Sequence, residues 1–383
     1  MHTYYILLKK LLISLIFILA LSCQKEDKIV DVSKKENIVN IITAEKNIQG
    51  MNSVAFCVMK NDSLLWAGAM GYADRENHRL ATPETRYLIA SVSKSVTATA
   101  IMQLYDQGLF GLDDDVNKYL PFHLANPNHP DDAITFRMLL NHTSSLADNI
   151  NSSINLYCWG FDCLTSLGDF LYDFFSPEGE NYSKDFFYTY KPGEKLNYSN
   201  NNYVFLGYLV ELIARQPFDV YCKEHIFNPL GMQKTEWRLA NVPTDELAIP
   251  YGALFTPSHP NYTFIDYPDG GLRTTVLDLS KFLRMIIMKG TFNGHEILRP
   301  ETVEVMKQTN GIKDSDGLWY GMGLLFTQNG NFTLCGHDGG EQGVTTQMFY
   351  DPDSGTGAIV FTNTSLSYLN TITNTLIQYG IEQ

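Results

Sequence analysis

Basic residues are scarce in this chain. Its 383 residues include 28 Lys+Arg against 42 Asp+Glu, a formal charge of −14 with histidine neutral. An acidic chain has no electrostatic footprint for a phosphate backbone, which argues against nucleic acid as a partner. Long apolar runs are lacking after residue 22, where none reaches the ~18–20 residues that span a bilayer. Cysteines number six, and no Cys/His spacing has zinc-site form. His123 and His129 lie in a Pro/Asn-rich loop beside Asp131 and Asp132, and are read as solvated. The Asp314–Gly317 stretch lacks the glutamate that closes a calcium loop, so it reads as a turn. Hence neither a metal nor a cofactor is expected. With 44% apolar residues, disorder, a polytopic membrane protein and a disulfide-rich miniature are excluded.

What is present begins with a leader. Lys9-Lys10 precede the mostly apolar Leu11–Leu21, a length that suits a secretory segment rather than a membrane span. Ala20-Leu21-Ser22-Cys23 resembles the lipobox of bacterial lipoproteins, with cleavage before Cys23 and lipidation on it. Residues 1–22 are therefore read as a lipoprotein signal peptide, which leaves 383 − 22 = 361 residues and a charge of −16 once Lys9 and Lys10 are gone. Residues 23–37 read as a charged tether, with eight charges in positions 24–37. The expectation is an exported lipoprotein on the periplasmic side of a membrane or at the cell surface. The only membrane contact is then the lipid anchor. Of the remaining cysteines, Cys158 and Cys163 are the one pair close in sequence, and an odd count leaves at least one thiol free.

Apolar periodicity predicts a helix from Ile38 that stops at Gly50. Val54–Met59 and Leu64–Ala67 flank Lys60-Asn61-Asp62-Ser63 and read as a buried hairpin. Ser91 to Gly108 is helical, and helical patterns dominate from about 106 to 264, including Phe136–Asn141 and Tyr203–Arg215. Val276–Lys289 follows. The C-terminal part returns to strands, with Asn329-Gly330 as a hairpin turn, and a helix over Tyr368–Tyr379. Strands at both ends predict one sheet built from residues 38–105 and 265–383, with a mostly helical domain, 106–264, inserted between. Positions 147–190 hold twelve aromatics in 44 residues, read either as a local aromatic core or as a pocket wall.

Three short patterns carry chemistry. A serine hydroxyl is a poor nucleophile unless a base takes its proton, and a lysine one turn on can do so. Ser91-Val92-Ser93-Lys94 places the two on one face at a helix start. Tyr198-Ser199-Asn200 offers a tyrosine as proton shuttle, with the lysine cation favouring phenolate, and an asparagine to donate to a carbonyl. His337-Asp338-Gly339-Gly340 ends a hairpin strand. It is the only His-x-Gly among nine histidines, and its glycines allow a substrate against the strand edge and a free N–H in an oxyanion hole.

Taken in this order, the three patterns resemble the serine β-lactamase-related hydrolases: class C β-lactamases, D-Ala-D-Ala carboxypeptidases, and related esterases and D-aminopeptidases. Leu139–Ser145, Asn228–Met232, Gly270–Leu272 and Tyr320–Gly323 fit as well, so the resemblance spans about residues 38–380. It implies a mixed α/β (α+β) fold, an antiparallel sheet flanked by helices, with the site at the border of a helical domain. It further implies that Ser91 is acylated and that Lys94 and Tyr198 move its proton. Asn200, His337, Gly339 and Gly340 would bind substrate, with the N–H groups of Ser91 and Gly340 as oxyanion hole. Glu194-Lys195-Leu196-Asn197 is one residue short of the class A base motif. His337 stands where β-lactamases of this type usually carry lysine, which points to the carboxypeptidase and esterase branches. The expected partner is a small-molecule, peptide or ester substrate, and His337 is expected to gain charge between about pH 7.5 and about pH 6. A β-lactamase proper and a catalytically silent penicillin-binding sensor are the alternatives. His142 is expected to be structural.

Overall fold

The structure, a computed structural model, describes residues 35–148, 156–253, 256–314 and 317–383. The leader, Cys23 and most of the tether lie outside the described residues. The helix read from Ile38 begins at Lys35 and so includes the last tether residues; α1 spans Lys35–Ile48, and Gly50 follows it at φ +66°.

An eight-stranded antiparallel sheet is assembled from both ends of the chain. Its long strands are β1 (Ser53–Lys60), β2 (Ser63–Asp74), β3 (Leu325–Asn329), β4 (Phe332–Glu341), β5 (Val344–Asp351) and β6 (Thr356–Thr362). The spatial order is Trp319–Tyr320, β3, β4, β5, β6, β1, β2, Arg79–Leu80. The first strand thus pairs with the last, Ala55 opposite Phe361 and Lys60 opposite Thr356. Strand β1 is apolar on both faces because both are covered. Val54, Phe56 and Val58 meet α1 and the terminal helix Asn370–Ile381, whereas Ala55, Cys57 and Met59 face the larger core.

That larger core contains α2 (Ser93–Asp106), buried on every side from Ser93 to Leu104. A helix buried all round needs cover all round, and α2 receives it from the sheet, from α3 (Asn201–Ala214) and from the turn Tyr267–Asp269.

Several sequence readings need correction. Strand β2 continues to Asp74 and is half-exposed rather than buried, because only the two residues Arg79–Leu80 pair along its outer side. Strand β4 runs on past Cys335 to Glu341, since β5 pairs with it as far as Val344, so His337–Gly340 forms the end of this hairpin strand within the paired region. Within the stretch read as helical, Tyr157–Trp159 pairs with Tyr262–Phe264. Aromatic rings facing across the two strands stabilise this ribbon, and a Cys158–Cys163 disulfide closes the adjoining loop. The aromatic-rich stretch serves both purposes: Phe170, Phe175 and Phe186 are core, while Leu156 and Tyr157 line a cavity.

Candidate active site

Ser91 lies in a single 3-10 turn, Ala90–Val92, that precedes α2 rather than in the helix itself. Ala90 holds φ +48°, a left-handed conformation that costs a non-glycine residue roughly 1–2 kcal/mol and tends to persist where a site demands it. The turn is clamped from the sheet. Thr346 Oγ1 donates to the Ile89 carbonyl at 2.7 Å. A Cβ on Gly339 would lie 2.5 Å from that carbonyl oxygen and 2.9 Å from Ser91 N, so only glycine lets β4 approach this closely. The Ser91 N–H is thereby set beside the Gly339–Gly340 step. Gly340 has open space where a side chain would be. Strand β3 pairs with β4 only as far as Gly336, which leaves the β3-side edge of His337–Glu341 without a paired strand among the described residues.

Lys94 is fully buried. Its Nζ lies 3.2 Å from Ser91 Oγ, and donates to Asn200 Oδ1 and to the Asp269 main-chain carbonyl, each at 2.7 Å. The last two partners only accept, so they consume two N–H bonds in either protonation state. The third direction points at Ser91. An ammonium donates there, whereas a neutral amine turns its lone pair to the serine hydroxyl. Burial lowers the Lys94 pKa, opposed by Asp269, Asp148, Asp266 and Glu341, and thus moves it toward the amine a base requires.

Tyr198 is half-buried, and its hydroxyl is sealed from solvent and completes no hydrogen bond among the described residues. Lys94 Nζ stands 5.1 Å from its ring centroid. Burial pushes the Tyr198 pKa well above the ordinary phenol range, the nearby Ser91 hydroxyl opposing weakly. The phenolate expected from the sequence is therefore replaced by a neutral phenol. Below it His142 stacks at 4.4 Å, and His142 Nδ1 accepts from the Ser199 N–H at 3.2 Å. The histidine is structural in the sense that it supports Tyr198. The Asp148 carboxylate accepts from Ser199 Oγ and from the N–H groups of Asn200 and Asn201, capping α3.

His337 is 2% exposed, and its Nδ1 lies 2.6 Å from the Asp338 carbonyl. Burial, then the Lys94 charge, lowers its pKa to about 3. It therefore stays neutral at pH 6, and the expected gain of charge there does not occur. Glu194 is exposed and accepts from the Lys191 N–H, away from Ser91.

Sequence reasoning missed a group of carboxylates. Asp148, Asp266, Asp269 and Glu341 line a cavity of about 180 Å³ together with Asn200 and Tyr157. Asp269 adjoins the Gly270–Leu272 stretch, but acidic residues spread over three segments leave no spacing to detect.

A family model described as Beta-lactamase matches residues 38–376. Protein flp of Staphylococcus aureus (strain MW2) is 26% identical over 339 residues, which cover 88% of this chain and 64% of that protein. The chain thus spans slightly under two thirds of the length of such curated relatives. Among solved structures, the octameric penicillin-binding protein homologue from Pyrococcus abyssi is 27% identical with a TM-score of 0.69, covering 88% of this chain and 75% of that one. A D-amino acid amidase from Ochrobactrum anthropi SV3, solved with L-phenylalanine amide, shares the fold at 22% identity and a TM-score of 0.72, covering 90% and 97%.

Proposed function

The chain belongs to the Beta-lactamase family, and on that premise we propose that it is a serine hydrolase that cleaves amides or esters through an acyl-enzyme on Ser91. The observation that carries this reading is the Lys94 tripod, with two fixed acceptors and Ser91 Oγ in the third direction. Neutral Lys94 takes the Ser91 proton as Oγ attacks the substrate carbonyl carbon. The resulting oxyanion is held by the N–H groups of Ser91 and Gly340. Collapse breaks the C–N or C–O bond, and the leaving group receives the proton from Lys94 by way of the Tyr198 hydroxyl. Water then adds to the acyl-serine, gives its proton to the same relay, and releases the acid while Ser91 Oγ is reprotonated. Tyr198 acts as a neutral relay, taking one proton as it gives another.

A neutral, buried His337 offers no charge for a substrate carboxylate, which supports an esterase or amidase type acting on substrates without one over a class C-like β-lactamase. The test is covalent. A fluorophosphonate probe labels Ser91 and no other serine, Ser91→Ala abolishes turnover of a chromogenic ester, and Tyr198→Phe slows it by roughly 10²–10⁴. A stoichiometric burst without steady turnover would make the protein a silent acylated sensor instead. Rapid opening of a chromogenic cephalosporin would make it a β-lactamase.

A further inference from the structure

The carboxylates round the cavity beside Lys94 are not matched by the protein. No lysine or arginine lines this space among the described residues. Asp148 and Glu341 have partners: the first caps α3, and the second accepts from the Tyr157 hydroxyl at 3.0 Å and the Gln342 N–H at 2.7 Å. Asp269 differs. It is only 7% exposed, it lines the cavity, and its carboxylate has no hydrogen-bond or ion-pair partner among the described residues. Only its main-chain carbonyl is used, by Lys94. Lys94 in turn spends its three directions on Ser91, Asn200 and that carbonyl, and forms no ion pair with either Asp266 or Asp269. A buried, unpaired carboxylate is costly unless it is protonated or meets a cation. Burial raises both Asp266 and Asp269 above the usual carboxylate range, helped by repulsion from Asp148 and Glu341 and opposed by the Lys94 charge.

Among the described residues no three acidic, histidine or cysteine side chains converge as a metal site, which favours an organic cation. Size points the same way. A space of about 180 Å³ holds a group of roughly five or six heavy atoms, at ~30 Å³ per water-sized unit. Position identifies the part of the substrate. Asn200 lines the cavity, its Oδ1 is taken by Lys94, and its amide NH₂ has no hydrogen-bond partner among the described residues. Tyr198, the relay to the leaving group, does not line it. The cavity therefore lies on the acyl side of the nucleophile.

We propose that this cavity receives the protonated amino group of an α-aminoacyl substrate, so that the enzyme cleaves amides or esters whose acyl part is an amino acid with a free amine. The inference rests on Ser91 being the acylated nucleophile. The bond broken is the one already described, and the products are the free amino acid and the amine or alcohol.

The test uses a pair that differs by one group. Alanyl and isobutyryl p-nitroanilides, the first in both enantiomers, exchange an ammonium for a methyl at nearly constant shape. One enantiomer of the alanyl substrate is expected to exceed the isobutyryl one in kcat/KM by at least about tenfold, the usual worth of a charged hydrogen bond. N-acetylation is expected to remove the advantage. Asp269→Asn and Asp266→Asn each reduce that ratio. A binding arm removes the higher intrinsic reactivity of an ammonium-bearing carbonyl and needs no turnover: in Ser91→Ala, calorimetry compares alaninamide with isobutyramide. Preferential binding of alaninamide supports the cavity assignment, and equal affinity for the two overturns it. Absence of any Ser91 acylation would instead remove the hydrolase reading, which the fluorophosphonate label reports separately.

Discussion

A histidine held at pKa about 3 inside the fold behaves unlike the pH switch that its residue type suggests. In the unfolded chain His337 takes a proton below about pH 6.5, whereas in the folded chain it refuses one until far lower. Its contribution to stability is therefore unchanged above about pH 6.5 and is lost as pH falls. The slope approaches about 1.4 kcal/mol per pH unit, which amounts to about 2 kcal/mol by pH 5. His142, lowered by burial and by Lys94, acts in the same direction. The raised carboxyls of Asp266 and Asp269 act in the opposite one, because the fold binds their protons more tightly than the unfolded chain does. The comparison that isolates His337 is urea unfolding of wild type and His337→Asn at pH 7.5 and pH 5. The variant is expected to lose about 2 kcal/mol less over that interval. Equal losses would mean that His337 titrates normally. In activity, the ratio of anionic to neutral ester hydrolysis is expected to owe nothing to His337 between about pH 7.5 and about pH 6. Ser91, Lys94, Tyr198 and Asn200 were legible because each stands in a short pattern. The neutrality of His337 and Tyr198 was not, since burial is a property of the neighbours.

At the scale of elements, the site depends on how closely one turn and one strand approach. The two glycines that end the His-x-Gly-Gly pattern look alike in sequence but answer to different demands. Gly339 is crossed by the 3-10 turn, and a methyl there meets Ile89 O at 2.5 Å. Gly340 faces open space. Gly339→Ala is expected to cost about 1–3 kcal/mol from overpacking and to slow fluorophosphonate labelling of Ser91 by about a hundredfold, the order of a displaced oxyanion donor. Gly340→Ala is expected to leave stability within about 0.5 kcal/mol of wild type. Thermal unfolding together with labelling rates checks both, and equal destabilisation by the two substitutions would show that β4 does not press on the turn. Most helices were readable from their apolar period. Two features were not: the extension of β4 through His337, which requires β5 as a template, and the Tyr157–Trp159 ribbon, whose partner lies about a hundred residues away.

At the scale of the molecule, the expected lipid anchor and the proposed active site fall in separate parts of the chain. Residues 38–376 match the family, whereas Cys23 lies outside the described residues, and no helix among those described is long and apolar enough to cross a membrane. Cys23→Ala is accordingly expected to shift the protein from the detergent-solubilised membrane fraction to the soluble one, with ester turnover per molecule unchanged; a wild-type protein already soluble after processing would remove the anchor alone. The amino-acid sequence by itself determined the strand and helix periods, the closure of one sheet from both ends, and the short patterns of Ser91, Lys94 and Tyr198 on which the proposed mechanism rests. These follow from neighbours within a few positions and from the apolar pattern, which local geometry translates directly. Only the tertiary structure decided which titratable groups are charged, why Gly339 must lack a side chain, and that carboxylates from three distant segments share one cavity, two of whose lining residues hold Lys94. Burial and long-range proximity set those properties, and neither is written in any short stretch of the chain.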